Sequence, residues 1–194
     1  MAKSSLDSLE RYYAKNRQEW HQWLSENHET SPGVWLVYHK KNSPKSSVSY
    51  EDAVQEAIIF GWIDSKVNAL DEERYMQVFT PRKPGSNWSK SNKNRVQHLN
   101  RRGLMKTAGL KKVEAAKKDG SWNFLNDIEN LVVPEDLKKA LNKNKTATKN
   151  FNSFTDSHKK QILYWIGTAK KHDTRLKRIK VTVKAAKENK KPFD

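Results

Sequence analysis

The residues best suited to chemistry lie between Trp62 and Asn92, where a carboxylate, an arginine and many hydroxyl and amide side chains are close in sequence. Asp64 follows two large apolar residues, so its carboxylate must be solvated or paired, and Arg82 is a suitable partner. A guanidinium binds a carboxylate or phosphate through two parallel hydrogen bonds. This pattern predicts either a structural Asp64–Arg82 pair or a polar pocket in which Arg82 binds an anion.

Short polar side chains follow Arg82 and directly precede a predicted helix. The N–H groups at a helix N-terminus attract anions, and the helix dipole strengthens the attraction. Ordinary N-capping needs only one such side chain, so the surplus, with no acid nearby, favours phosphate or carboxylate binding. In this hypothesis Arg82 holds the anion, Asp64 orients Arg82, and two Trp rings form the walls. The predicted ligand-binding residues are Asp64, Arg82, Ser86, Trp88, Ser89, Asn92 and Trp62.

The formal net charge of +16 is unevenly distributed along the 194 residues. Residues 74–113 contain eleven Lys or Arg and no Asp or Glu, and residues 175–191 form a second basic segment. Such segments favour an acidic partner, although they are also typical of a solvated lysine-rich surface. Nucleic-acid binding is therefore an alternative function, without a zinc finger or RNP motif to support it. Its predicted contacts are Lys90, Lys93, Arg95, Arg101 and Arg102.

Metal and cofactor chemistry has little support in the sequence. There is no Cys, which excludes disulfides and thiolate ligands, and the six His do not have a metal-binding spacing. A catalytic triad built from Ser65 or Ser86, His39 and Asp64 lacks the glycine-flanked serine of a nucleophile elbow. We therefore expect no metal and no cofactor. An enzyme of unknown reaction with Asp64 and Arg82 in its site remains a second alternative, and we favour a non-enzymatic protein.

The elements that must position these residues belong to an α+β fold. Residues 34–41 and 74–80 are β-branched and aromatic, and a further strand begins at Trp62. Short connections favour a small antiparallel sheet of about three strands. Capping and termination signals predict helices over residues 7–28, with a break near Asn16, from Ser49 to Gly61, from Ser89 or Ser91 to Arg102, and through most of the C-terminal half. We expect a single domain, 1–194, with an α/β part (about 1–88) and a helical part (about 89–190).

Several of these motifs resemble the YdeI/OmpD-associated family, in family order and over about residues 34–180. The first is Phe60-Gly61-Trp62-Ile63-Asp64-Ser65, followed by Thr80-Pro81-Arg82 with Ser86, Trp88-Ser89 and Asn92. The match continues through Gly103-Leu104-Met105, Ala108-Gly109-Leu110, Asp119-Gly120-Ser121-Trp122, Val133-Pro134-Glu135-Asp136-Leu137 and the block from Ser157 to Ile179.

The family's label, bacteriocin protection, implies a role in tolerance to antimicrobial peptides or envelope stress, and it carries no catalytic residue over to this chain. Together with the polar cluster, the resemblance predicts a stress-tolerance protein that binds an anionic small molecule or an acidic partner group. The N-terminal residues have no apolar leader, and no segment approaches the length of a membrane span. We therefore expect a cytoplasmic protein without a transmembrane segment, and the oligomeric state stays open.

Overall fold

The fold was analysed in a computed structural model that describes residue 6 and residues 8–41 and 43–193. The chain divides into two compact units at the Trp122–Asn123 junction. In its described residues the first unit holds the sheet and four helices, and the second unit is helical, so the expected α+β class with a helical C-terminal half is confirmed. The first two helices after residue 88 belong to the first unit. The expectation of a single domain over residues 1–194 stays a prediction.

The sheet has four strands in the described residues, not about three, and it is mixed rather than antiparallel. The strands are β1 (Arg11–Tyr13), β2 (Val34–His39), β3 (Trp62–Ala69) and β4 (Arg74–Pro81), in the order β1-β2-β4-β3. β4 is antiparallel to both β2 and β3, as the short connections predicted. β1 pairs with β2 in parallel.

The prediction of a helix starting at residue 7 was therefore wrong for residues 11–13, which form β1. Asp7 itself lies outside the described residues. Tyr12 packs against the main core, whereas Tyr13 packs against the opposite face of the sheet. This alternation is the two-residue period of a strand. The parallel pairing is possible because α1 (Arg17–Asn27) intervenes between the two strands and returns the chain to the same end of the sheet.

The helices of the first unit begin where local capping predicts. They are α1, α2 (Tyr50–Ile59), α3 (Lys90–Arg101) and α4 (Thr107–Asp119). The side chains of Asn16, Ser49 and Ser89 accept hydrogen bonds from backbone N–H groups three residues later, as N-caps do. Gly61 and Gly120 have positive φ angles just after α2 and at the end of α4. These local signals fix the two loops that flank the candidate site.

The core of the first unit lies between the sheet and its helices. Trp20, Leu24, Ile58, Trp62 and Phe79 are buried in it, among other residues of α1, α2, β2 and α3. A smaller cluster covers the other face of the sheet. Large aromatic rings supply much of the buried area, as the low apolar content of the chain requires.

The second unit consists of short helices around its own apolar core. They are α5 (Asn126–Glu129), α6 (Glu135–Asn142), α7 (Lys145–Ser153), α8 (Asp156–Gly167) and α9 (His172–Lys187). Its core contains Leu137, Phe151, Ile162 and Ile179. In the described parts of both units, no helix has the length and apolarity that crossing a membrane requires.

Candidate functional site

Arg82 is positioned by the end of β4 and by the close approach of α4. Its backbone N–H donates to the carbonyl oxygen of Gly61 (3.0 Å), just beyond the last residue of β4. A Cβ atom at Gly61 would lie 2.9 Å from the carbonyl oxygen of Ala108 and 2.8 Å from Cγ of Lys112. Glycine is therefore required here both by its φ of +76° and by the space that α4 leaves.

The guanidinium of Arg82 is almost completely buried, with 2% of the residue exposed. Nη1 donates to the backbone carbonyl of Asn87 (3.0 Å), and Cζ lies 3.6 Å from the centroid of the Trp88 ring. Nε and Nη2 are buried and have no hydrogen-bond partner among the described residues. These two N–H groups share one edge of the planar guanidinium and point in the same direction. They form the donor pair that a carboxylate or phosphate accepts through two oxygens.

The charge of Arg82 is not neutralised by an ion pair with any described residue. Burial lowers its pKa from the ordinary arginine value to about 10, and the negative charge of Asp64 opposes part of that change. The group is still protonated at neutral pH. A buried, charged guanidinium with two unpaired nitrogen donors lowers the stability of the folded protein and is therefore a candidate binding group.

A cavity of about 70 Å³, here called the Arg82 pocket, is lined by Arg82, Trp88, the turn at residues 83–86, and Lys112, Ala115, Ala116, Asp119 and Ser121. The turn is held against the end of α4 because Gly85 N–H donates to Oδ2 of Asp119 (3.0 Å). The hydrogen bonds that its carboxylate accepts from Ser121 and from Gly85 lower the pKa of Asp119. Nε1 of Trp88 is also buried without a partner in the described part of the chain. The residues that line the pocket thus include the positive charge of Arg82 and two side chains with unpaired N–H groups.

Asp64 does not form the expected pair with Arg82. Its Oδ2 atom accepts hydrogen bonds from the hydroxyl of Tyr50 (3.1 Å) and from Nε2 of Gln77 (2.9 Å). The carboxylate therefore affects Arg82 through its charge. The polar partners come from the start of α2 and the middle of β4, and no local sequence pattern indicated them.

The other predicted ligand-binding residues divide between the pocket and purely structural contacts. Ser86 and Trp88 line the Arg82 pocket. Ser89 caps α3 by accepting from the N–H of Asn92 (3.2 Å), and Oδ1 of Asn92 accepts from Arg95 (2.8 Å). Trp62 is a core residue whose Nε1 donates to the carbonyl of His28 (3.1 Å), and its edge lines a separate cleft. The structure thus brings together Arg82, Ser86 and Trp88 from the predicted set.

The predicted nucleic-acid contacts differ in how available their charges are. Arg95 forms two hydrogen bonds to Glu51 (2.9 and 2.6 Å), and they lower the pKa of Glu51 to about 2. Nζ of Lys93 lies 5.9 Å from the centroid of the Trp122 ring. Lys90, Arg101 and Arg102 are exposed. The basic segment is therefore partly engaged within the first unit rather than presented as one free surface.

The residues of α4 are the part of the candidate site that sequence reasoning missed. Lys112, Asp119 and, just beyond the helix, Ser121 lie between 30 and 39 residues after Arg82 in sequence. Asp119 and Ser121 belong to a motif of the family resemblance, but that motif did not indicate a contact with Arg82. The only local signal for their position is Gly109, which lets α4 approach the end of α2. No cluster of metal-ligating side chains occurs within the described ranges.

Two family models match separate parts of the chain. The one described as Bacteriocin-protection, YdeI or OmpD-Associated matches residues 130–189, which confirms the resemblance over that part. The one described as Domain of unknown function (DUF8412) matches residues 12–112, which contain Arg82 and its neighbouring motifs. No curated protein and no solved structure matches the chain significantly. Because residues 12–112 are more than half of its length, the chain belongs to the family described as Domain of unknown function (DUF8412).

Proposed function

We propose that this protein binds an anionic group through Arg82. The observation that carries the proposal is the free Nε–Nη2 edge of a buried, charged guanidinium beside the Arg82 pocket. A carboxylate or phosphate group would accept both N–H groups and supply the missing negative charge. The Trp88 ring supports the guanidinium from one face and keeps its plane fixed.

The size of the pocket suits one small group rather than a whole molecule. A water molecule takes about 30 Å³ in the liquid, so about 70 Å³ has room for a group of a few heavy atoms. Water alone would satisfy hydrogen bonds but would leave the buried charge without a counter-charge in direct hydrogen-bond contact. An anionic head group meets both needs, so it is the ligand chemistry that we propose.

The family description for residues 130–189 gives this binding a context. It is a bacteriocin-protection description, and we propose that a non-enzymatic protein of that type recognises its ligand or partner group at Arg82. Nucleic-acid binding, catalysis at Asp64 and Arg82, and a cytoplasmic location stay predictions. No specific contact favours either alternative function, and the pairing of Arg95 with Glu51 removes one of the expected phosphate contacts.

Isothermal titration with sodium acetate and with inorganic phosphate tests the proposal. We expect saturable binding to the wild-type protein and at least tenfold weaker binding to Arg82→Lys, because an ammonium cannot form the two parallel hydrogen bonds. Trp88→Phe keeps an aromatic ring but removes the Nε1 donor and part of the buried ring system, so it should weaken binding less than Arg82→Lys. Circular dichroism checks that each variant is folded.

Arg95→Lys is the matched control, since Arg95 is another arginine of the first unit and is partly buried, but it already has Glu51 as its partner. It should bind both anions like the wild type. Equal loss of affinity in Arg95→Lys and Arg82→Lys, or wild-type affinity in Arg82→Lys, would contradict the proposal.

A further inference from the structure

A second and larger cavity lies next to the Arg82 pocket. This α4 cleft has a volume of about 690 Å³, within the roughly 300–1,000 Å³ typical of small-molecule sites. Its apolar side is formed by Phe60, Gly61, Trp62 and Pro81, and its other side by the first two turns of α4. The cleft is thus long enough for a chain or ring that the smaller pocket could not hold.

The rim of the α4 cleft is predominantly cationic. Lys106, Lys111 and Lys112 line it, with Glu29 as the single acidic residue among its lining side chains. The side chain of Glu29 is 83% exposed and lies 3.7 Å from Nε2 of His28. Lysine stems cover apolar surface while their ammonium groups stay in water. The combination suits an apolar ligand body that carries negative charge.

The two cavities adjoin at Lys112 and Ala115, which line both. Cγ of Lys112 lies within 2.8 Å of where a Gly61 Cβ atom would be, so the lysine stem rests directly on the backbone beside Arg82. A ligand with its head group at Arg82 would therefore have the α4 cleft, on the other side of Lys112, as an adjoining concave surface for the rest of its structure. Neither cavity alone provides both a site for the anionic head group and an apolar surface for the rest of the ligand.

We infer that the ligand is an anionic amphiphile, with its carboxylate or phosphate head in the Arg82 pocket and its apolar body in the α4 cleft. The inference rests on the proposed function, because it assigns the body of the ligand whose head Arg82 binds. Apolar burial strengthens binding by up to about fourfold for each methylene group that leaves water. Affinity should therefore rise with chain length until the cleft is filled.

The test is a titration with straight-chain carboxylates from acetate to octanoate, below their micelle concentrations. We expect the affinity to rise at least thirtyfold from acetate to octanoate and to fall at every chain length in Arg82→Lys. Octylamine, which lacks the anionic head, should bind at least tenfold more weakly than octanoate. Octyl phosphate distinguishes a phosphate head from a carboxylate head at the same chain length.

Thr107→Trp places a large ring at the exposed start of α4, where Thr107 lines the cleft but not the Arg82 pocket. This variant should bind acetate like the wild type and lose the dependence on chain length. Leu110→Trp is the matched control, because Leu110 is partly exposed on α4 and lines neither cavity.

Acetate binding that requires Arg82 but does not strengthen with chain length would overturn this inference and leave the proposed function intact. Octanoate binding that is independent of Arg82 would also overturn it. If neither acetate nor octanoate binds, both the inference and the proposed function fail.

Discussion

Replacing Arg82 by Met is expected to abolish anion binding and to raise the free energy of unfolding of the ligand-free protein by about 1 kcal/mol. Burial lowers the pKa of Arg82 to about 10, which corresponds to a cost on the order of 3 kcal/mol for keeping the guanidinium charged in the folded protein. The substitution also loses the cation–π contact with Trp88 and the hydrogen bond to Asn87, each about 1 kcal/mol. The sum of these contributions makes the folded Arg82→Met protein slightly more stable than the wild type.

The pH dependence of this difference follows from the direction of the pKa change. Below about pH 10, Arg82 is charged in both the folded and the unfolded chain, so the full cost of burying the charge is present. Above that pH the folded protein releases the proton first and the cost declines. The stability advantage of Arg82→Met should therefore be constant from pH 7 to 9 and should shrink between pH 10 and 11.

Urea unfolding of the two proteins, with and without saturating phosphate, measures both effects. Phosphate should stabilise the wild type and leave Arg82→Met unchanged, because a ligand that binds only the folded state raises its stability. Arg95→Met is the control and should be less stable than the wild type, since it leaves Glu51 without its partner. A loss of more than 1 kcal/mol in Arg82→Met would show instead that the guanidinium is a structural element of the fold.

The parts of the fold that sequence reasoning predicted are those that local interactions determine. Asn16, Ser49 and Ser89 cap helices through atoms three residues away, and alternation along β4 indicates a strand without reference to the rest of the chain. β1 was missed because three residues are too short for a periodic signal. Its partner, β2, lies more than twenty residues away, so its pairing depends on tertiary contacts, which override local propensity.

The candidate site shows the same division between local and distant contacts. Arg82 and Trp88 are six residues apart across a turn, so their proximity could be expected from the sequence. The sequence could not predict that Asp64 leaves Arg82 unpaired, because Tyr50 and Gln77, from two other elements, donate hydrogen bonds to the Asp64 carboxylate. The lining residues from α4 were equally unpredictable, since they depend on how closely that helix packs against α2.

The packing of α4 can be tested directly, because Gly109→Ala is expected to destabilise the first unit by about 2–3 kcal/mol. A Cβ atom at this position would lie 2.4 Å from the carbonyl oxygen of Ile59 and 2.6 Å from that of Ile58. Both are backbone atoms at the end of α2, so α4 as a whole must move away. Lys112 and Asp119 move with it, and acetate binding at Arg82 should weaken as well.

Gly167→Ala is the matched control for adding a methyl group to a helical glycine. Its Cβ atom would lie 3.4 Å from the ring of Phe124, an ordinary contact, so the better helix propensity of alanine should stabilise the second unit by up to about 1 kcal/mol. Urea unfolding measures both variants. If Gly109→Ala keeps the stability and the acetate affinity of the wild type, then α4 can shift without cost, and its close contact with α2 does not position the Arg82 pocket.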